Sequence, residues 1–194
     1  ESALGKFPDA KIRSGLWLNL GSALLALEDS TRYPDAEQAF REAIREGPDR
    51  DQKYEALLNG GRVRYLIGDV EGALAVYEDL LADGGFRAYE GRTRLLIGAH
   101  YQQASDLERA LAEYEQVRDD FPLSPASAMA LYRTGLLYLQ DRGDIELARD
   151  YFEETNREKS GSQGARLAQT MQGYLTRLQN TQGHVHRADS LAAD

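Results

Sequence analysis

Cysteine is absent from the chain. Disulfide scaffolds, thiolate metal sites and cysteine nucleophiles are excluded together, while the redox compartment stays open. Histidine is nearly as scarce, with only His100, His184 and His186. His100 falls inside a helical pattern, where a surface or satisfied histidine is the simpler reading than a general base. His184 and His186 sit two apart, would diverge by about 200° on a helix, and make a poor metal cage in an extended tail. No apolar run approaches the ~18 residues of a membrane span. Positive charge is also short, with 23 basic residues against 32 acidic ones and a net charge of -9, which argues against a nucleic-acid partner. No His-Glu-x-x-His, Gly-x-Ser-x-Gly or phosphate-loop pattern occurs. Acidic pairs such as Asp119-Asp120 and Glu153-Glu154 read as solvated helix surface. The residues therefore predict no enzyme, no metal and no cofactor.

What the chain has is a period. Ala36 and Phe40, Ala73 and Tyr77, Ala110 and Tyr114, and Ala148 and Phe152 each pair a small residue with a ring four positions on. The alanines recur at intervals of 37, 37 and 38 residues, and so do the rings. A third member follows each ring by three, at Ala43, Leu80, Val117 and Thr155, which completes an i, i+4, i+7 helical stripe. Before each stripe lies a second apolar-periodic segment built around a glycine. The first holds Trp17, Leu20, Gly21 and Leu24; the third Leu95, Ile97, Gly98 and Tyr101; the fourth Leu131, Gly135 and Tyr138. The second has Leu57 and Val63, with either Gly60 or Gly61 in the glycine register. Glycine inside a helix costs about 1 kcal/mol relative to alanine, so its recurrence points to close helix approach. A phosphate-binding reading is poor, because no strand precedes these glycines.

The units are thus helix pairs, with spans expected at about 10–28, 35–46, 52–67, 70–82, 87–103, 106–119, 125–141, 145–158 and 164–181. Gly68-Asp69 and Gly143-Asp144 end one helix and cap the next. Ser105 to Glu108 reads as a capping box. Gly47-Pro48, Gly84-Gly85 and Phe121-Pro122 close the second helices. Stacked repeats of this kind bury one another's faces in a solenoid. The predicted fold is all-α: four repeats at about 10–48, 49–85, 86–122 and 123–160, then a C-terminal capping helix at about 163–181. One domain spans 1–182, and 183–194 is expected to be a flexible tail. Phe7-Pro8 stands 14 residues before Gly21, as Phe121-Pro122 stands before Gly135, so the start reads as the end of an upstream unit, with a short linker ending in Pro as the alternative.

Trp17, Leu20, Gly21, Leu24, Ala36, Phe40 and Pro48 resemble the tetratricopeptide repeat, whose pattern is aromatic-x2-Leu-Gly-x2-Tyr, then Ala-x3-Phe and a closing proline. Ile97, Gly98, Tyr101, Ala110, Tyr114 and Pro122 repeat the match. The resemblance covers roughly residues 7 to 160 and implies a right-handed superhelical solenoid of antiparallel helix pairs. These units run longer than the family's ~34 residues, and the second lacks the closing proline. The stretch from Phe121 to Ala126, with Ala130-Leu131-Tyr132 and Gly143-Asp144, is similar to bacterial cell-envelope members, which tilts the expected compartment towards periplasm or envelope over cytoplasm.

The family usually holds ligands in a concave groove lined by first helices. Register places Leu18 and Ser22 there from the first unit, and Leu25 with them. The second unit offers Glu55, Asn59, Arg62 and Tyr65. The third contributes Arg92, Leu95, Ala99 and Gln102, and the fourth Met129, Tyr132 and Gln140. A well-known subset grips a terminal carboxylate with Lys and Asn; here Leu18, Leu58, Leu95 and Tyr132 stand instead, so that clamp is absent. What remains is an apolar strip flanked by Arg62 and Arg92, suited to a peptide or amphipathic helix with acidic rims, unless the leucines simply pack between helices. The expectation is a non-catalytic scaffold with a protein partner. The rivals are a homodimerising module and a regulatory domain of a larger enzyme.

Overall fold

The computed structural model describes the backbone of residues 9–193 and the side chains of residues 9–181. Phe7-Pro8, His184 and His186 therefore lie outside the described side chains. Among the described residues there is helix and no strand. The elements run α1 (Ala10–Ala26), α2 (Tyr33–Arg45), α3 (Arg50–Leu66), α4 (Val70–Ala82), α5 (Glu90–Gln103), α6 (Leu107–Asp120), α7 (Pro125–Gln140), α8 (Ile145–Glu158) and α9 (Gln163–Ala193). The first eight begin and end within three residues of the spans expected from periodicity. The ninth continues to Ala193 instead of stopping near 181. Gly183 weakens a helix by only about 1 kcal/mol, and no proline follows it to force a stop.

Contacts divide the chain into two units, Glu1–Thr93 and Arg94–Asp194, with the boundary inside α5. In the first, α1 and α2 form a helical hairpin, α3 packs on α2, and α4 folds back on α3. Its core gathers Ala36, Phe40, Ala43, Ala56 and Val63, flanked by Trp17, Leu18, Leu24 and Leu25. In the second, α6 packs on α7, α7 on α8, and α9 lies against both α7 and α8. One core cluster there joins Ala110, Tyr114, Val117, Ala130 and Leu137. Another joins Ala148, Phe152, Ala168 and Leu175.

The recurrent glycine and the recurrent ring meet each other. A Cβ built on Gly21 would lie 2.7 Å from Phe40 Cε1, and one on Gly61 would lie 2.5 Å from Tyr77 Cε1. The corresponding distances are 2.5 Å from Gly98 to Tyr114 Cε1 and 2.6 Å from Gly135 to Phe152 Cε1. Each ring seats against the bare backbone of the helix before it, and nothing larger than glycine leaves room. Gly61, not Gly60, occupies this register in the second pair. Tyr77 and Tyr114 have no exposed surface, and burial pushes both phenols above their ordinary value of 10.0 because the phenolate loses its hydration.

Turn chemistry follows the Gly-Asp reading at two joints. Gly68 and Gly143 take φ of 92° and 69°. Asp69 then caps α4 by accepting from Gly72 N at 3.0 Å, and Asp144 caps α8 by accepting from Leu147 N at 3.0 Å. At the third such joint the expected capping box does not form. Ser105 takes the left-handed position instead, with φ 61°, and Asp106 is the cap, accepting from Arg109 N at 3.2 Å. This moves the helix start one residue on, so Glu108 no longer stands where it could return the bond. A capping box occurs at Asp49, which accepts from Gln52 N at 2.9 Å while its own N–H donates to Gln52 Oε1 at 3.3 Å. The joint before α5 also differs from expectation. Gly84–Tyr89 forms a short 3-10 segment, capped by Asp83 and closing over buried Phe86. Helix α5 consequently starts at Glu90 instead of near 87.

Candidate functional site

In the first unit, α3, the end of the 3-10 segment and the first turn of α5 build one connected cluster. Tyr54 is fully buried and stacks on Tyr89, with ring centroids 4.2 Å apart and planes 16° from parallel. Its hydroxyl lies 3.2 Å from Thr93 Oγ1 and donates to Tyr89 O at 3.4 Å. Burial raises the Tyr54 phenol above 10.0. Tyr89 in turn donates to Asp51 Oδ1 at 2.6 Å, and keeping that proton holds its own phenol up. The Arg92 guanidinium sits over the Tyr54 ring at 5.7 Å. It also grips Glu55 through both nitrogens, with NH2 donating to Oε2 at 3.0 Å and NH1 donating to Oε1. Asn59 is buried and donates from Nδ2 to Glu55 O at 3.0 Å.

This arrangement redistributes the positive charge expected along the strip. Arg92 is spoken for by Glu55, so an acidic ligand must compete for it. Arg62, about two turns beyond Glu55 on α3, is exposed and makes no ion pair among the described residues. Tyr65, three residues on, is half-buried, and Ser22 on α1 is exposed. Leu18 and Leu25 are half-buried and pack against the α1–α3 core.

The second unit places its predicted residues differently. Leu95 packs on the Tyr114 cluster. Gln102 bridges two helices, donating to Asp141 Oδ2 at 2.8 Å and accepting from the Tyr114 hydroxyl at 3.3 Å. Tyr132 is half-buried on the Phe152 cluster, its ring 5.9 Å from that of Phe152, and burial raises its phenol. Met129 and Ala99 are half-buried, and Gln140 is exposed. His100 is buried. Among the described residues no group of three His, Cys, Asp or Glu side chains stands ready to hold a metal, and no helix is long and apolar enough to cross a membrane. Sequence reasoning found Glu55 and Arg92 separately but missed their pairing and the Tyr54–Tyr89 stack beneath it. The 37-residue separation of Glu55 and Arg92, one repeat length, was the available signal.

A sequence model described as tetratricopeptide repeat matches residues 18–89 and 95–162. The chain belongs to the tetratricopeptide-repeat family. Each matched stretch falls within one of the two contact units. No curated protein matches the chain. Repeats of the tetratricopeptide type generally mediate protein–protein interaction and are typically non-catalytic.

Proposed function

We propose that this tetratricopeptide-repeat chain is a non-catalytic scaffold, and that the first-helix face of its first unit, around Ser22, Asn59, Arg62 and Tyr65, binds a segment of a partner protein. The observation that carries the reading is Arg62. It is an exposed guanidinium without an ion pair among the described residues, on a helix where Asp51, Glu55 and Arg64 are each paired, in a chain where acid outnumbers base. A segment with an acidic residue would complete it, and the adjoining Tyr65 offers an apolar body with a polar tip. The acid surplus speaks against nucleic acid as the partner. The Phe121–Ala126 junction favours a bacterial envelope complex as the setting.

The test is site-specific photo-crosslinking in extracts of the native host, with the photoreactive residue at position 65 or 22, and at Gln38 on the outer surface of α2 as control. A discrete adduct at 65 and 22, absent at 38 and lost when Arg62→Glu is added, is expected. Equal capture at all three positions sinks the assignment.

Self-association has its own observation. Ile12, Leu16 and Leu20 of α1 and its C-cap Leu27 are exposed, and no charge falls between Arg13 and Glu28. Light scattering over a concentration series separates the readings: a stable dimer whose interface includes Arg62 would replace the scaffold proposal.

A further inference from the structure

The face of α3 turned away from Asn59 and Arg62 carries a gap where the repeat has a side chain elsewhere. Position 60 immediately precedes the ring-seating Gly61. The same register is Leu20 before Gly21, 45% exposed, and Ile97 before Gly98 and Thr134 before Gly135, whose side chains are only 4% exposed. Gly60 supplies no side chain, and a cavity of about 50 Å³ remains, walled by Phe40, Ile44, Leu57 and Val76. Close helix approach does not require this glycine. A Cβ on Gly60 would meet only Phe40 Cβ, at an ordinary 3.8 Å. At the rim, Arg41 NH1 and Arg64 Nε both donate to a single oxygen, Glu37 Oε1, at 3.1 and 3.4 Å. Two guanidiniums on one carboxylate leave a positive charge in excess, and no other acidic side chain lines the cavity.

We propose that this notch between α2, α3 and α4 is a docking subsite for a partner segment that presents an aliphatic side chain next to a carboxylate. The aliphatic group fills the space that Ile97 and Thr134 fill in their own repeats, and the carboxylate takes up the rim charge left over by Glu37. The subsite is on the opposite side of α3 from Arg62, so it stands or falls separately from the scaffold face proposed above.

N-acetylleucine, N-acetylleucinamide and N-acetylglycine serve as probes, titrated at millimolar concentration into the uniformly nitrogen-15-labelled chain. N-acetylleucine is expected to shift the amide resonances of Leu57, Gly60, Gly61 and Val76. Loss of the carboxylate weakens the response about threefold, as for an exposed ion pair, and loss of the aliphatic group about tenfold. Gly60→Val fills the notch from within and abolishes the response. Arg64→Gln, a half-exposed change, weakens it about threefold and decides the matter if Gly60→Val does not fold. Equal response to all three probes, shifts confined to the Arg62 face, or an undiminished response in a folded Gly60→Val chain each overturn the proposal.

Discussion

Gly60 and Gly61 are consecutive residues of one helix, yet alanine at the two positions should act in opposite directions. Both substitutions gain helix propensity, worth about 1 kcal/mol. At Gly60 the new methyl meets Phe40 Cβ at 3.8 Å, ordinary contact, so the propensity gain stands and the chain is stabilised by about 1 kcal/mol. At Gly61 the methyl would lie 2.5 Å from Tyr77 Cε1, 3.0 Å from Cζ and 3.2 Å from the hydroxyl. Tyr77 has no exposed surface, so its ring cannot swing outward and the helices must part by roughly an ångström. Overpacking of that kind costs up to about 3 kcal/mol, leaving a net loss of about 2 kcal/mol after the propensity gain. The contrast is therefore about 3 kcal/mol between neighbours, or roughly 6–12 °C in melting temperature for a chain this size. Urea unfolding followed by circular dichroism at 222 nm measures it. Removing the obstruction should reverse the sign: in a Tyr77→Leu background, Gly61→Ala ought to become neutral or stabilising. If Gly61→Ala is no worse than Gly60→Ala in the wild-type background, the ring-seat account of these glycines is wrong.

Ser127 is buried, and its hydroxyl donates to Glu158 Oε1 at 2.6 Å, the oxygen that also accepts from Leu123 N at 2.6 Å; Ser127→Ala should cost about 1.5 kcal/mol by urea denaturation, with Leu123, held at φ 58°, the first amide to lose protection in hydrogen exchange. Tyr54, Tyr77 and Tyr114 all have phenols raised above 10.0 by burial. The folded state thus retains protons that the unfolded state releases, and stability is unaffected by these groups below pH 10 and falls as pH rises beyond it. Absorbance at 295 nm should show three tyrosines ionising only together with alkaline unfolding. The Asp49 carboxyl is lowered from 3.8 by its hydrogen bond from Lys11 and by capping α3. Its contribution is full above the unfolded value of 3.8 and is lost as pH falls from there through the lowered folded-state value, so the urea midpoints of wild type and Asp49→Asn should converge in acid and separate above pH 5.

The fold was legible because the features that set it are local. Alanine, ring and a third member at fixed spacing define each second helix, and glycine at fixed spacing defines where the ring lands, so eight helices could be bounded to within three residues. The errors arose where a local rule had two solutions. Ser105-Asp106 fits both a capping box and a left-handed turn followed by an Asp cap, and the preceding helix chose the second. Residues 87 to 89 read as the first turn of α5, whereas they belong to a 3-10 segment capped by Asp83. The site was less legible. Glu55 and Arg92 were visible as charges, but their mutual capture depends on rotamers that no spacing specifies. Leu18, Leu95 and Tyr132 lie against core clusters because a half-apolar position on a first helix has the same sequence signature whether its partner is a neighbouring helix or a ligand. Gly60 went unread for a related reason: beside Gly61 it looked like register ambiguity, whereas it is a side chain left out.

The ring seats also bear on how the chain folds. Each seat joins residues close in sequence: 21 with 40, 61 with 77, 98 with 114, and 135 with 152. Long loops need not close before such contacts form, so little chain entropy is lost at the barrier, and folding in the microsecond-to-millisecond range is expected for contacts this local. Any hairpin can nucleate, and its neighbours can then add to a finished surface. A damaged seat should accordingly open its own hairpin at low free energy while the others stay closed, and native-state hydrogen exchange would register the repeat as a series of separate openings instead of one global event.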